Sequence, residues 1–257
     1  MSSSKASHAP ALPLFYNRIE MLNFSEHGGF GVRNTAADAL NFGYARGAIA
    51  VPVTLGELAI AARHFPVIFA ADATAMPLAV LGLEAGKNLF VDKNGHWRPG
   101  TYVPAYVRRY PFITVNGPEG RQLLGADTSS PRISSRPGEG IVPLFDSAGG
   151  PTELARGILN FCETFAREYA QTQAFVADLN ARGLLVDRSA DLRFPDGTPH
   201  RVDGFRVVDE NALRALPDDV VVDWHKRGLL ALITLHLSSQ VGWQPLVDLA
   251  VSQRRPN

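Results

Sequence analysis

Seven histidines, one cysteine and a run of tyrosines and arginines are the side chains of this sequence best suited to chemistry. The histidines are His8, His27, His64, His96, His200, His225 and His236. Metal ions recruit histidine at short fixed spacings, and no such spacing occurs here. His225 and His236 on one straight helix would share a face yet stand about 16 Å apart, too far to share an ion. No metal site and no cofactor is expected. His225, with Asp223 and Lys226 beside it, has the residue types for acid–base work near neutral pH; His236 and Asp219 are the further groups such an enzyme would use. The competing role for His225 is electrostatic, on the last carbonyls of a helix that ends before Gly228. His236, between Leu235 and Leu237, reads as a core histidine.

Nucleophile and phosphate-binding motifs are missing. Neither G-x-S-x-G nor G-x-G-x-x-G nor a P-loop pattern is present, which argues against ordinary nucleotide sites. Cys162 falls mid-helix beside an apolar stripe, where a thiol acts as a small hydrophobe. The segment with most binding character holds Tyr102, Tyr106, Arg108, Arg109 and Tyr110. Guanidinium forks grip carboxylates or phosphates, and tyrosine rings stack on an extended ligand. On a helix Tyr102, Tyr106 and Arg109 share a face while Arg108 points elsewhere. The alternative is a helix end with arginine on the last carbonyls and tyrosines half buried. His96 and Trp97, on a turn after a strand, are a second exposed aromatic candidate, or else close the edge of a core.

The elements that must position these residues follow from pattern. Thr54 and Glu57 form a capping box opening a helix that Pro66 stops near Phe65. Short strands follow at 67–70, 77–83 and 88–92, with a turn at Lys93-Asn94-Gly95. Residues 102–111 read as a short helix running into a strand at 112–115. Residues 116–140, rich in Gly, Pro and Ser, read as a long surface loop. A long helix covers 152–182, closed by Gly183, with Leu154, Ile158, Phe161, Phe165, Tyr169, Thr172, Val176 and Leu179 on one face. That stripe needs a partner, either the chain's own sheet or a second copy in a homodimer. A hairpin is expected over 191–208. Asp209 and Asp218 then cap two short helices, and 229–240 is a buried helix. Together these predict an α+β fold: antiparallel sheet segments with a long amphipathic helix and a C-terminal helical cluster. Residues 1–13 are expected to form a mobile tail and 14–250 a single domain, divisible into a mostly-β half (14–145) and a mostly-α half (146–250).

Lys plus Arg and Asp plus Glu both number 25 in 257 residues, so the formal charge is zero. That removes the electrostatic footprint of a general nucleic-acid binder and leaves little repulsion between copies. One cysteine suits a reducing compartment, and no apolar run suffices for a signal peptide or a membrane span. A cytoplasmic protein without membrane insertion is expected.

Several phrases occur in a telling order. They are Ala61-Ala62-Arg63-His64-Phe65-Pro66-Val67-Ile68-Phe69, Leu81-Gly82-Leu83, Asn88-Leu89-Phe90-Val91-Asp92, and the run from Tyr102 to Phe112. Leu213-Arg214-Ala215-Leu216-Pro217 and the stretch from Trp224 to Ile233 complete the set. In this order the chain, from about Leu14 to Leu249, resembles the bacterial SapC family. The resemblance implies a link to the surface layer, and an accessory role in uptake or modification of an envelope-related substrate. It supplies no catalytic residues. Three functions follow as expectations, in this order: a non-catalytic binding protein that recognises a peptide or protein partner, an enzyme of unfamiliar class built on His225 or His236 with nearby acids, or a structural surface-layer component.

Overall fold

The computed structural model describes residues 12–33 and 41–254, so the expected tail lies outside the described residues up to residue 11. The strands are β1 (Ile19–Met21), β2 (Gly31–Arg33), β3 (Ala50–Pro52), β4 (Val67–Ala70), β5 (Pro77–Val80), β6 (Phe112–Asn116), β7 (Gln122–Asp127), β8 (Ile133–Ser134), β9 (Ile141–Pro143), β10 (Leu185–Arg193) and β11 (Pro199–Val208). The helices are α1 (Phe24–His27), α2 (Leu58–His64), α3 (Ala105–Arg109), α4 (Glu153–Ala181), α5 (Glu210–Arg214), α6 (Asp218–Lys226), α7 (Leu229–Ser239) and α8 (Trp243–Arg254). Antiparallel sheets, one long helix and a C-terminal helical cluster make this the α+β fold that the pattern of elements implies.

The chain forms two compact units, each from two separate stretches. One takes the chain up to Asn34 and then Tyr110–Leu159; the other takes Thr35–Arg109 and everything from Asn160. In the first unit the sheets run β1-β7-β6 and β8-β2-β9. The Asp127 carboxylate, fully buried, ties the chain start to β7: it accepts from the Asn17 N–H at 2.8 Å, the Arg18 N–H at 3.2 Å and the Ser129 hydroxyl at 2.6 Å. Burial alone would push its pKa up, but the Ser129 hydroxyl and the surrounding N–H groups hold it below the usual carboxylate range.

The second unit holds a five-stranded sheet in the order β10-β11-β4-β5-β3. Its helical entry shows how sequence dictates structure. Thr54 and Glu57 form the capping box around a 3-10 turn, Leu55–Glu57, that leads into α2. The remaining donors of that turn go to α4: the Thr54 hydroxyl donates to Glu168 at 2.7 Å, and the Leu55 N–H to the Thr172 hydroxyl at 3.0 Å. Further along α4, Phe175, Val176 and Leu179 enter a core with Phe69, Val208, Trp224, Leu229 and Ile233. Each large side chain so buried contributes roughly 1.5–3 kcal/mol. Gly183, at φ 65°, closes α4, and Gly228, at φ 73°, turns α6 into α7; both need the left-handed backbone that glycine adopts without strain.

Several expectations are corrected. Residues 116–140 are not one loop: Gln122–Asp127 is a strand, paired with β6 across a tight turn and with β1 on its other side. Residues 88–92 form no strand, only a bridge between Val91 and Trp97. The hairpin's first strand begins at Leu185, six residues early. Asp218 is the first residue of α6 rather than its cap, which is Pro217. At the start of α4 the buried line is Ala155 and Cys162, and Leu154 faces solvent. Helix α7 is buried along one face only, at Leu229, Ile233, His236 and Ser239.

Candidate functional site

The tyrosine–arginine segment is largely consumed by its own unit. Glu57, 6% exposed, accepts from the Thr54 N–H at 3.0 Å, the Ala105 N–H at 2.8 Å and the Tyr102 hydroxyl at 2.9 Å. It therefore satisfies the start of α2 and of α3 together. Burial raises the Glu57 pKa, with those donors opposing. Burial, and then the Glu57 charge, push the Tyr102 phenol up to about 12. The Arg109 guanidinium lies 4.5 Å from the centroids of both Tyr106 and Phe165, clamping α3 to α4. Arg108, though exposed, donates to the Val103 carbonyl at 3.0 Å and sits 5.1 Å from the Phe161 ring. Tyr106 is buried; Tyr110 is buried in the other unit, its hydroxyl 3.4 Å from Asp127. Of the five residues, Arg108 is exposed and Tyr102 and Arg109 are half-buried; Arg108 donates to the Tyr102 hydroxyl at 3.2 Å.

The second candidate, His96 and Trp97, stands at a cleft. Asp92 builds the turn that carries them: its carboxylate accepts from the Asn94 N–H at 2.8 Å and the His96 N–H at 2.9 Å. The His96 N–H contributes most to holding the Asp92 pKa low. The returning chain bonds Arg98 N–H to the Phe90 carbonyl at 2.7 Å, which stacks the Trp97 ring on Phe90 at 6.0 Å and 21°. Phe42 meets the Trp97 ring edge-on at 5.8 Å, fixed by a 2.7 Å bond from its N–H to the Gly95 carbonyl. Phe65 backs Phe90 at 4.8 Å. From α8, the Gln253 amide donates to the Leu89 carbonyl at 2.7 Å and closes the end. The cleft so walled holds about 610 Å³, within the usual range for small-ligand sites, and Arg98, Thr101 and Val103 line its rim. Trp97 is 8% exposed, and its indole N–H has no acceptor among the described residues.

Other places carry less. A depression of about 480 Å³ between β10 and α5 includes Arg188, Phe205 and Trp243, but Arg214 there is already bonded to Glu210 and Asn211. The residues of the acid–base reading are separated: His225 is exposed on α6 and Asp223 pairs with Arg227 at 3.0 Å, whereas His236 is buried in α7. His236 Nε2 accepts the Val208 N–H at 3.2 Å, and burial drives its pKa down to about 4, so the ring is a neutral acceptor that ends β11. Burial pushes the Cys162 thiol up to about 11. Among the described residues no three His, Cys, Asp or Glu are grouped to hold a metal ion, and no helix is long and apolar enough to cross a membrane.

The residues that sequence reasoning missed are Phe42, Phe90, Arg98 and Thr101. Arg98 and Thr101 lie between the two candidate segments, and the signal available was their continuity with Trp97.

Fold and site together define an α+β protein with an aromatic-walled cleft. The SapC family model matches residues 22–246, and the chain belongs to the SapC family. No curated protein and no solved structure matches the chain.

Proposed function

We propose that this SapC-family chain is a non-catalytic binding protein of the cytoplasm that recognises a peptide or protein partner, in an accessory role for envelope or surface-layer processes. The observation that carries the reading is the cleft of Phe42, Phe90 and Trp97, rigidly packed ring on ring with a guanidinium on its rim. Aromatic and arginine side chains dominate binding hot spots, the rings through large rigid contact area and arginine through its planar fork of donors. The groups inside serve recognition: the rings supply area, and the Asp92 carboxylate is engaged by its own turn and by His96. A single buried thiol fits a reducing compartment.

The test is site-directed photo-crosslinking in the native host. Benzoylphenylalanine replaces Thr101 at the cleft rim or, as control, Val222, which is exposed on α6. One partner chain should be trapped from position 101, not from 222, and be lost on Trp97→Ala. Equal trapping at both positions would remove the cleft from the reading. Turnover of a small molecule by the purified protein, abolished by His225→Ala, would replace binding with catalysis.

A further inference from the structure

A second cleft of about 480 Å³ lies beside the first, lined by His64 from α2 and by Leu246, Asp248, Leu249 and Ser252 from α8. It shares Phe90, Arg98 and Thr101 with the aromatic cleft. Arg98 thus borders both. The arginines around it are engaged: Arg46 donates to the Lys93 carbonyl at 2.9 Å, Arg108 to the Val103 carbonyl, and Arg254 to Glu84. The Arg98 guanidinium forms neither a hydrogen bond nor an ion pair among the described residues. The two acids of the lining, Asp92 and Asp248, form no ion pair with it. Asp92 turns Oδ1 to the N–H groups of its own turn and Oδ2 toward His96 Nδ1 at 3.5 Å, and Asp248 Oδ1 accepts from Gln244 at 3.0 Å; neither acid pairs with Arg98. The hydroxyls of the lining are also spent, Thr101 on the Arg98 carbonyl and Ser252 on the Leu249 carbonyl, both at 2.7 Å. His64 is half-buried, its ring 6.1 Å from that of Phe65, with no hydrogen bond among the described residues. The donors left over are the Arg98 guanidinium fork, the His64 imidazole and, buried in the aromatic wall, the Trp97 indole N–H.

We propose that the two clefts form one bipartite site, in which Arg98, with His64 beside it, binds a carboxylate while the Phe42–Phe90–Trp97 rings hold the aromatic or branched apolar group next to it. This rests on the binding-protein reading and names its ligand chemistry. A planar fork matches a carboxylate with two parallel hydrogen bonds, whereas a neutral amide offers one acceptor and brings a competing donor. The carboxylate has two sources in a peptide: the chain end, or an aspartate or glutamate beside an aromatic residue.

The test uses N-acetylphenylalanine, its amide, and acetyl-Asp-Phe-amide as probes, titrated calorimetrically into the full-length protein. Both carboxylate probes lack tryptophan, so quenching of protein fluorescence offers a parallel readout, assigned to the cleft by its loss in Trp97→Phe. The acid should bind about tenfold tighter than the amide, and Arg98→Gln should erase that difference without lowering the melting temperature. Arg98→Lys, keeping charge without the fork, should retain part of it. Tighter binding of acetyl-Asp-Phe-amide than of N-acetylphenylalanine would assign the carboxylate to a side chain; the reverse order assigns it to a chain end. Equal affinity for acid and amide, both lost in Trp97→Ala, would overturn the carboxylate subsite and keep the aromatic cleft. Binding of no probe, or an acid preference that survives Arg98→Gln, overturns it too, while trapping at Thr101 decides the binding reading separately.

Discussion

Two adjoining stretches of the second unit, 92–101 and 102–109, contain the same residue types put to opposite uses. In 102–109 each cation and ring finds its complement within the unit: Arg109 between Tyr106 and Phe165, Arg108 on the Val103 carbonyl, Tyr102 on Glu57. In 92–101 the Trp97 ring packs on Phe90 and Phe42 from outside the stretch, and the Arg98 fork has no partner among the described residues, at the meeting of two clefts. Arginine among aromatics is therefore not itself a binding signal. What separates clamp from site is whether the complementary rings and carboxylates come from the same chain.

The sharpest way to break the comparison is at Glu57, on which the clamp depends. Glu57→Ala leaves the Thr54 and Ala105 N–H groups without acceptors in a buried place, and should cost roughly 3–5 kcal/mol in urea denaturation. A loss below about 1 kcal/mol would mean that 102–109 is held by something other than this carboxylate. The pH dependence has a definite sign. Burial raises the folded pKa above the ordinary 4.5, so the folded state holds its proton longer than the unfolded chain. The contribution of Glu57 is complete below about pH 4.5 and is lost as pH rises through the folded value. Glu57→Gln should flatten that fall.

One part of this clamp, the capping box, was readable from local spacing; the bonds from Tyr102 and Ala105 to Glu57, 45 and 48 residues away, were not. Thr54 and Glu57 are three apart, and a capping box requires nothing beyond that. The span of α4 was readable as well, because its apolar period persists to Gly183. Its early turns were misread because Leu154 is apolar yet solvent-facing, whereas small Ala155 and Cys162 carry the buried line. Strand β7 was hidden because Gly, Pro and Ser on both sides of Gln122–Asp127 outweighed six residues of strand in the window. At the cleft, Trp97 was visible and the freedom of Arg98 was not. That freedom depends on what Phe42, His64 and Asp248 do or fail to do, residues 34 to 150 positions away, and no local pattern encodes it.

His236 tests the buried end of the same question, a polar ring held as structure rather than as chemistry. Its folded pKa of about 4 lies below the ordinary 6.5, so the unfolded chain binds a proton that the folded state refuses. Stability from this ring is complete above about pH 6.5 and is lost as pH falls toward 4, opposite in sign to Glu57. His236→Gln keeps an acceptor for the Val208 N–H but cannot titrate. Between pH 7 and pH 4 the native protein should lose roughly 3 kcal/mol more than the variant, measured by urea denaturation at each pH. Identical losses would mean that the ring is open to water and available for proton transfer, which would revive the catalytic reading.

The smallest expected effect sharpens the comparison most. Arg109→Ala removes a cation packed between two rings along with the stem that covers them, and should cost roughly 1–2 kcal/mol. Arg98→Ala removes a side chain without a partner among the described residues, and should leave the denaturation midpoint where it was. The binding readouts should invert: Arg98→Ala abolishes discrimination between N-acetylphenylalanine and its amide, and Arg109→Ala preserves it once the protein is folded. Melting curves and titrations on both variants give four numbers, and only this crossed pattern supports the division into clamp and site. If Arg98→Ala destabilises as much as Arg109→Ala, the guanidinium has an internal partner in solution, and both stretches are packing. If instead Arg109→Ala changes the acid preference at unchanged stability, the clamp itself reaches the ligand, and the boundary between the stretches lies further along the chain than Thr101.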